Sequence, residues 1–360
     1  MRILIVAPGS LPVPGGGSVE ICISRIASWV AKQHKVTVVC RRFPGQAKVS
    51  RSGNLTIVRI SADTRARYMA GVLRHARENR YDVIQVDNRP HNAAFIKRAF
   101  PGIPVSLFLH SLTFVPKTAR VTTDIKKADL VIVNSHSLRD RIIQRFPAVS
   151  GKVKIVYLGV DTAWFRPARR KSGNRPFTVL FAGRVIPRKG VPILIEAVGL
   201  VRRKIKRARL VVVGGGKPQY IGKLKRQARR LKVPATFVGK VAHRTIRRYY
   251  RAADCFVCPS QRHEAFGLVN VEAMACGLPV VASDIGGIRE IIRHGRTGYL
   301  VRNIRNPAEF SHYIVKLASD SKTAAAMARA GRQEVLRRFH WRMTSQKLLS
   351  IYADFLHGNI

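Results

Sequence analysis

The stretch Glu264-Ala-Phe-Gly-Leu-Val-Asn-Val-Glu272-Ala-Met-Ala-Cys-Gly-Leu-Pro279-Val-Val-Ala-Ser283 decides how this chain is read. A loop carrying Glu264 leads into a helix pattern that opens at Phe266-Gly267-Leu268 and carries Glu272, and the β-branched run Pro279 to Ala282 follows. Loop, helix and buried strand in that order make one step of a doubly wound α/β domain. The chain has eight glutamates in 360 residues, and three of them, Glu264, Glu272 and Glu290, fall in this neighbourhood. So acid-poor a chain does not gather carboxylates there by chance.

Outward from this stretch the same rhythm repeats. Phe177 to Ala182, Leu210 to Val213, Thr236 to Val238, Cys255 to Cys258 and Gly298 to Val301 read as strands between helical patterns. Earlier come Ile3 to Ala7, Val36 to Cys40, Leu55 to Ile60, Asp82 to Val86, Val105 to Leu109, Leu130 to Val133 and Val153 to Tyr157. Runs that are apolar on both parities suit parallel strands covered by helices on both faces. Around Arg166 to Pro176 the apolar signal gives way to Pro, Gly, Ser and charge, which reads as a linker. The expected architecture is α/β, with two doubly wound domains at 1–168 and 169–340 and a cleft between them. A terminal segment, 341–360, supplies one amphipathic helix expected to pack back on the first domain.

Composition bounds the partners. Lys and Arg number 66 against 19 Asp and Glu, a formal charge of +47, which speaks to solubility and company and not to fold. Residues 201–250 hold 17 Lys or Arg, and no acid lies between Glu196 and Asp254. Solvated helix faces account for most of this; the sharper reading is peripheral contact with an anionic membrane or polymer, at about 1 kcal/mol per basic residue near a charged surface. No nucleic-acid module is recognisable, and aromatic content of 8% is not clustered into stacking platforms, so specific nucleic-acid binding is not expected. Five cysteines make no even framework, and Cys255-Phe-Val-Cys258 lacks the two further ligands that a zinc site wants. A reducing, cytoplasmic setting fits. The opening apolar run is short for a signal segment, and no run approaches the ~20 residues of a membrane span.

Three glycine-rich approaches to helix N-termini could hold phosphate through unpaired amides and the macrodipole: Pro14-Gly-Gly-Gly-Ser18, Gly183 to Gly190, and Phe266-Gly267-Leu268. None has P-loop spacing, and Gly214-Gly215-Gly216 lacks the spacing and the following acid of a dinucleotide site.

Taken in order, Gly183-Arg184-Val-Ile-Pro187-Arg-Lys189-Gly190, the Glu264 and Glu272 pair, Gly286-Gly287-Ile-Arg-Glu290, Gly295-Arg-Thr-Gly298 and Gly159-Val-Asp161 make a specific set. The chain resembles the retaining glycosyltransferases of family 4, in the glycogen-phosphorylase/glycosyltransferase superfamily, over nearly its whole length. Its opening Leu11 to Glu20 looks most like the branch associated with bacterial spore coats. The resemblance implies the GT-B architecture, two facing Rossmann-like domains. It also implies a retaining, hexosyltransferase-like activity from a nucleotide diphosphate sugar to a glycan, lipid or other envelope or spore-surface acceptor, with no cofactor and no divalent metal. There is no D-x-D sequence anywhere.

Residue by residue, the resemblance makes His110 and Glu264 catalytic, with Glu264 facing the transferred sugar. Arg184 and Lys189 would meet the charge of the departing diphosphate, the dominant aid such a reaction needs. Glu272 would take the ribose hydroxyls, the amides of Phe266, Gly267 and Leu268 would line sugar and phosphate, and Gly16 and Gly17 would approach the diphosphate. Lys240 and Val241 would border the base. The plainer readings differ: a lone histidine after a strand is more often structural, and Arg184 and Lys189 stand out from 66 basic residues only by their Gly and Pro frame. A second function also fits the charge: a catalytically weak or inactive protein of the same fold, holding polyanions or serving as a coat component. Five retained site residues argue against it.

Overall fold

Short β-branched runs become parallel strands of two separate sheets in the computed structural model, which describes residues 1–11, 17–168 and 175–359. The first sheet holds β1 (Arg2–Ser10), β2 (Lys35–Arg41), β3 (Val49–Ser52), β4 (Leu55–Ile60), β5 (Val83–Asp87), β6 (Val105–Leu109), β7 (Leu130–Val133) and β8 (Val153–Ile155). Their order is β3-β4-β2-β1-β5-β6-β7-β8. All neighbours are parallel except β3 and β4, an antiparallel pair. The polar Val-Ser-Arg-Ser of β3 gives no apolar alternation and went unread in the sequence.

The second sheet holds β9 (Thr178–Ala182), β10 (Arg209–Val213), β11 (Ala235–Gly239), β12 (Cys255–Cys258), β13 (Val280–Ser283) and β14 (Tyr299–Val301), in the order β11-β10-β9-β12-β13-β14 and parallel throughout. Its core is built on the helix Val191–Lys204, whose Val191, Leu194, Ile195, Val198 and Val201 recur at helical spacing and pack with Leu210, Val212, Phe310 and Ile314. Each large aliphatic side chain buried this way stabilises the unit by about 1.5–3 kcal/mol. The five cysteines are buried and form no disulfide, and Cys255 and Cys258 lie within β12.

Each sheet reverses its winding once. The first does so at β1, between β2 and β5, and the second at β9, between β10 and β12. In open α/β sheets the crevice for a ligand forms outside the carboxyl ends of the strands at such a point. The segments leaving β1 and β5, and those leaving β9 and β12, therefore border such points, and β6 lies next to β5 in the first sheet.

Two compact units result, Met1–Leu158 with Trp341–Ile360, and Gly159–His340. The division falls earlier than the break expected at 168. Val160 donates its amide to Phe339 O at 2.8 Å, and Phe165 is buried against the rings of His243 and Tyr250, which ties this segment to the second unit. Most of the expected linker, 169–174, lies outside the described residues. Trp341–Leu356 is one helix of the first unit, with Tyr352 buried. In the basic helix Pro218–Arg230, Leu224 and Ala228 are buried while Lys223, Lys225, Arg226, Arg229 and Arg230 are exposed, a solvated face over one apolar seam.

Candidate active site

In the second unit the chain leaves β9 through Gly183 and exposed Arg184, then tightens into a 3-10 turn at Pro187–Lys189. Gly190 ends the turn at φ +72°, and a Cβ there would stand 1.8 Å from Pro259 O. Only glycine fits such an approach. The segment after β12 is thereby drawn against the turn, and Gln261 N donates to Arg188 O at 2.8 Å. Lys189 then meets Glu264, its Nζ donating to Oε2, with Ser260 Oγ donating to the same oxygen at 3.3 Å. Burial alone would raise the Glu264 carboxyl. The charge and hydrogen bond of Lys189, with help from Arg188 and Ser260, outweigh burial and hold it below the ordinary range.

The backbone of Glu264 is fixed from the other side by Gly286-Gly287. Added Cβ atoms there would stand 2.1 Å from Glu264 O and 2.3 Å from Ala265 O, and Gly287 N donates to Glu264 O at 2.9 Å. Phe266 is buried edge-on to Phe339, Gly267 caps the helix Leu268–Ala275, and Leu268 is its first residue. The first amides of a helix have no acceptor within it.

Glu272 lies on that helix and is 4% exposed. His243 Nε2 meets its Oε1 at 2.7 Å, and the Tyr250 hydroxyl donates to its Oε2 at 2.9 Å. Burial, then the Glu272 charge, pushes the Tyr250 phenol well above its ordinary range, so it remains a donor. A carboxylate oxygen accepts more than one hydrogen bond, and both oxygens of Glu272 retain capacity. His243 and Tyr250, two turns apart on the helix His243–Ala252, were missed in the sequence. Their spacing on one face of an otherwise arginine-rich helix was the available signal. Lys240 is exposed and, with Val241, follows Gly239 of β11 just before this helix.

In the first unit Gly16 lies outside the described residues, and Gly17 is exposed at the N-cap of the helix Ser18–Val30. His110 is the first residue beyond β6 and is 8% exposed. Its ring stacks on Phe108 with centroids 4.5 Å apart, and its Nε2 lies 2.8 Å from Asp87 Oδ1. Asp87 ends the adjacent strand β5. Asn88 follows it at φ 55° and accepts the His110 amide on Oδ1 at 2.8 Å. Asparagine tolerates that left-handed turn better than most side chains. Neither Asp87 nor Asn88 had been singled out, although the ends of adjacent parallel strands are necessarily neighbours.

Among the described residues, no group of three or more His, Cys, Asp or Glu is placed to hold a metal ion. Nor is any described helix long and apolar enough to cross a membrane.

Comparison with known proteins bears on the family and the fold. Residues 15–164 match the family described as Glycosyltransferase Family 4, and residues 164–334 match Glycosyl transferases group 1. Spore coat protein SA of Bacillus subtilis (strain 168) is 30% identical, over 98% of this chain and 99% of that protein. A D-inositol 3-phosphate glycosyltransferase 1 of Catenulispora acidiphila is 33% identical, over 81% of this chain and 76% of its own length. Among solved structures, the sucrose-phosphate synthase of Thermosynechococcus elongatus superposes with a TM-score of 0.85 at 23% identity, covering 99% of this chain and 100% of that one. Anabaena HepE in complex with UDP and glucose gives a TM-score of 0.77 at 22% identity, covering 98% of this chain and 100% of that one. These structures share the two-domain GT-B fold.

Proposed function

The chain belongs to glycosyltransferase family 4, and from that premise we propose that it moves a hexose from a nucleoside diphosphate sugar to a carbohydrate or lipid-linked acceptor of the cell envelope or spore surface. Anomeric configuration is retained, and no divalent metal takes part. The bond from the sugar's anomeric carbon to the diphosphate breaks, and the acceptor hydroxyl bonds that carbon and gives up its proton. Charge grows on the leaving diphosphate, so fixed donors aimed there lower the barrier most. Lys189 and Arg184 are those donors, joined by the amides of Phe266, Gly267 and Leu268 and by Gly16 and Gly17. Glu264 faces the transferred sugar and Glu272 the ribose. His110 contacts the sugar at the reaction centre, and Lys240 and Val241 border the base.

One observation carries the reading: the Lys189 ammonium and the Glu264 carboxylate are paired at the winding reversal of the second sheet, on a backbone frame that only glycines at 190, 286 and 287 permit. The Anabaena structure of this fold with bound UDP and glucose supports the donor class, and the Bacillus subtilis relative named spore coat protein SA supports an acceptor at the spore surface. The basic surface supports peripheral attachment at an anionic membrane or the spore surface, from the cytoplasmic side.

The test is a thermal-shift series with UDP, GDP and ADP, each with and without EDTA. One nucleotide should stabilise the protein by about 2.7 kcal/mol at a hundredfold excess over its Kd, with EDTA changing nothing. Stabilisation by none of the three, or only when divalent metal is present, contradicts the proposal.

A further inference from the structure

Behind His110 runs a fully buried chain of polar groups that the reading above does not use. Asp87 Oδ1 faces His110 Nε2 at 2.8 Å, and Asp87 Oδ2 accepts from Gln85 Nε2 at 2.8 Å. Gln85 Oε1 in turn accepts from the hydroxyl of Tyr352 at 2.8 Å, and that hydroxyl also lies 3.3 Å from Ser106 Oγ. Asp87, Gln85 and Ser106 are 0% exposed and Tyr352 is 1% exposed. Tyr352 comes from the helix Trp341–Leu356, which joins the first unit from the far end of the chain.

The polarity of this chain has one solution. Burial pushes the Tyr352 phenol far above its ordinary range, with a smaller pull downward from Ser106 and a push upward from Asp87, so the hydroxyl keeps its proton and donates to the Gln85 carbonyl. The Gln85 amide then presents its N–H to the Asp87 carboxylate; turned over, its oxygen would face another oxygen. An ionised carboxylate can only accept, so the proton on the His110 ring must sit on Nε2. The other ring nitrogen, Nδ1, is buried with no hydrogen-bond partner among the described residues.

We infer that Asp87, held by Gln85 and by Tyr352 of the C-terminal helix, is a positioning residue that fixes His110 as the Nε2–H tautomer and so leaves Nδ1 as an acceptor for a hydroxyl of the transferred sugar. The inference rests on the reading that puts His110 at the reaction centre. It adds a chemical requirement: the group meeting Nδ1 carries a proton to donate, as a sugar hydroxyl does and a diphosphate oxygen does not. The C-terminal helix thereby enters the function of the first unit through one hydroxyl.

The test uses the whole protein labelled with 15N-histidine, together with nucleotide release from whichever of UDP-glucose and GDP-mannose it consumes. In the wild type, the resonance lost on His110→Gln should show a protonated Nε2 and a bare Nδ1. Asp87→Asn should mix the tautomers and lower kcat about a hundredfold or more, with donor KM within about twofold, as expected when a carboxylate that orients a histidine is neutralised. Tyr352→Phe, which keeps the ring packing, should move the same resonance and lower kcat about threefold to tenfold, roughly the worth of one hydrogen bond. A protonated Nδ1 in the wild type overturns the inference, as do wild-type tautomer and kcat in Tyr352→Phe should Asp87→Asn not fold. Wild-type kcat in Asp87→Asn, with His110→Gln inactive, overturns the inference alone. Wild-type kcat in His110→Gln overturns the placement of His110 itself.

Discussion

Lys189 and Glu264, 75 positions apart in sequence, are joined ammonium to carboxylate, and the pair sits 16% and 22% exposed by side chain. At that depth an ion pair stabilises only while both charges are present, and removing one leaves the other poorly solvated. The folded Glu264 carboxyl titrates below its ordinary value of 4.5, so just under that pH the unfolded chain binds more protons than the folded one, and stability rises with pH. The contribution is complete above 4.5 and is lost as pH falls through the depressed folded value. Melting curves of wild type and Glu264→Gln should therefore differ most near neutral pH and converge as the solution is acidified. A gap that stays constant down the acid range would remove the pair as its cause.

Tyr250→Phe should be destabilising although it keeps the ring. It strips the donor from Glu272 Oε2, and a buried acceptor without its partner costs about 1–3 kcal/mol. For a unit of this size that is about 2–4 °C of Tm per kcal/mol, readable by calorimetry. With Glu272 proposed to take the ribose, the loss of this donor should also weaken nucleotide affinity. Unchanged Tm together with unchanged nucleotide Kd would argue that Tyr250 does not hold this carboxylate.

Gly190→Ala is expected to damage structure and activity together. The new Cβ would stand 1.8 Å from Pro259 O at a φ of +72°, so the turn carrying Lys189 must move away from the segment carrying Glu264. Strained φ alone costs about 1–3 kcal/mol, and the clash adds to it. Gly295→Ala has a comparable φ of +76° but meets nothing within 4 Å, and it serves as the control for strain without contact. Equal loss of donor turnover in the two variants would show that the turn's approach to Pro259 is irrelevant.

Much of this architecture was legible because its signals are local. The apolar runs of β1, β2 and β4 to β14 advertise buried parallel strands, and the residues from Trp341 onward show helical spacing that ends where the helix does, at Leu356. What stayed hidden depends on neighbours distant in the chain. Polar β3 is a strand only because β4 lies beside it. His243 and Tyr250 gain meaning from Glu272, and Asp87 from His110, through contacts 22 to 29 positions apart that no local pattern reports. Gly286 and Gly287 were read from their motif, yet their reason is steric: the carbonyls of Glu264 and Ala265 occupy the space a side chain would need.

The central claim is that the charge leaving with the nucleoside diphosphate is met by Lys189 in the pocket that Glu264 helps form. The most direct measurement is kcat for nucleotide release from the accepted donor sugar in wild type, Lys189→Ala and Glu264→Ala, each checked for folding by its melting curve. The account predicts a loss of about a hundredfold to a thousandfold in each variant, the size found when one preorganised donor to a developing anion is removed. Wild-type turnover in a folded Lys189→Ala protein would contradict it.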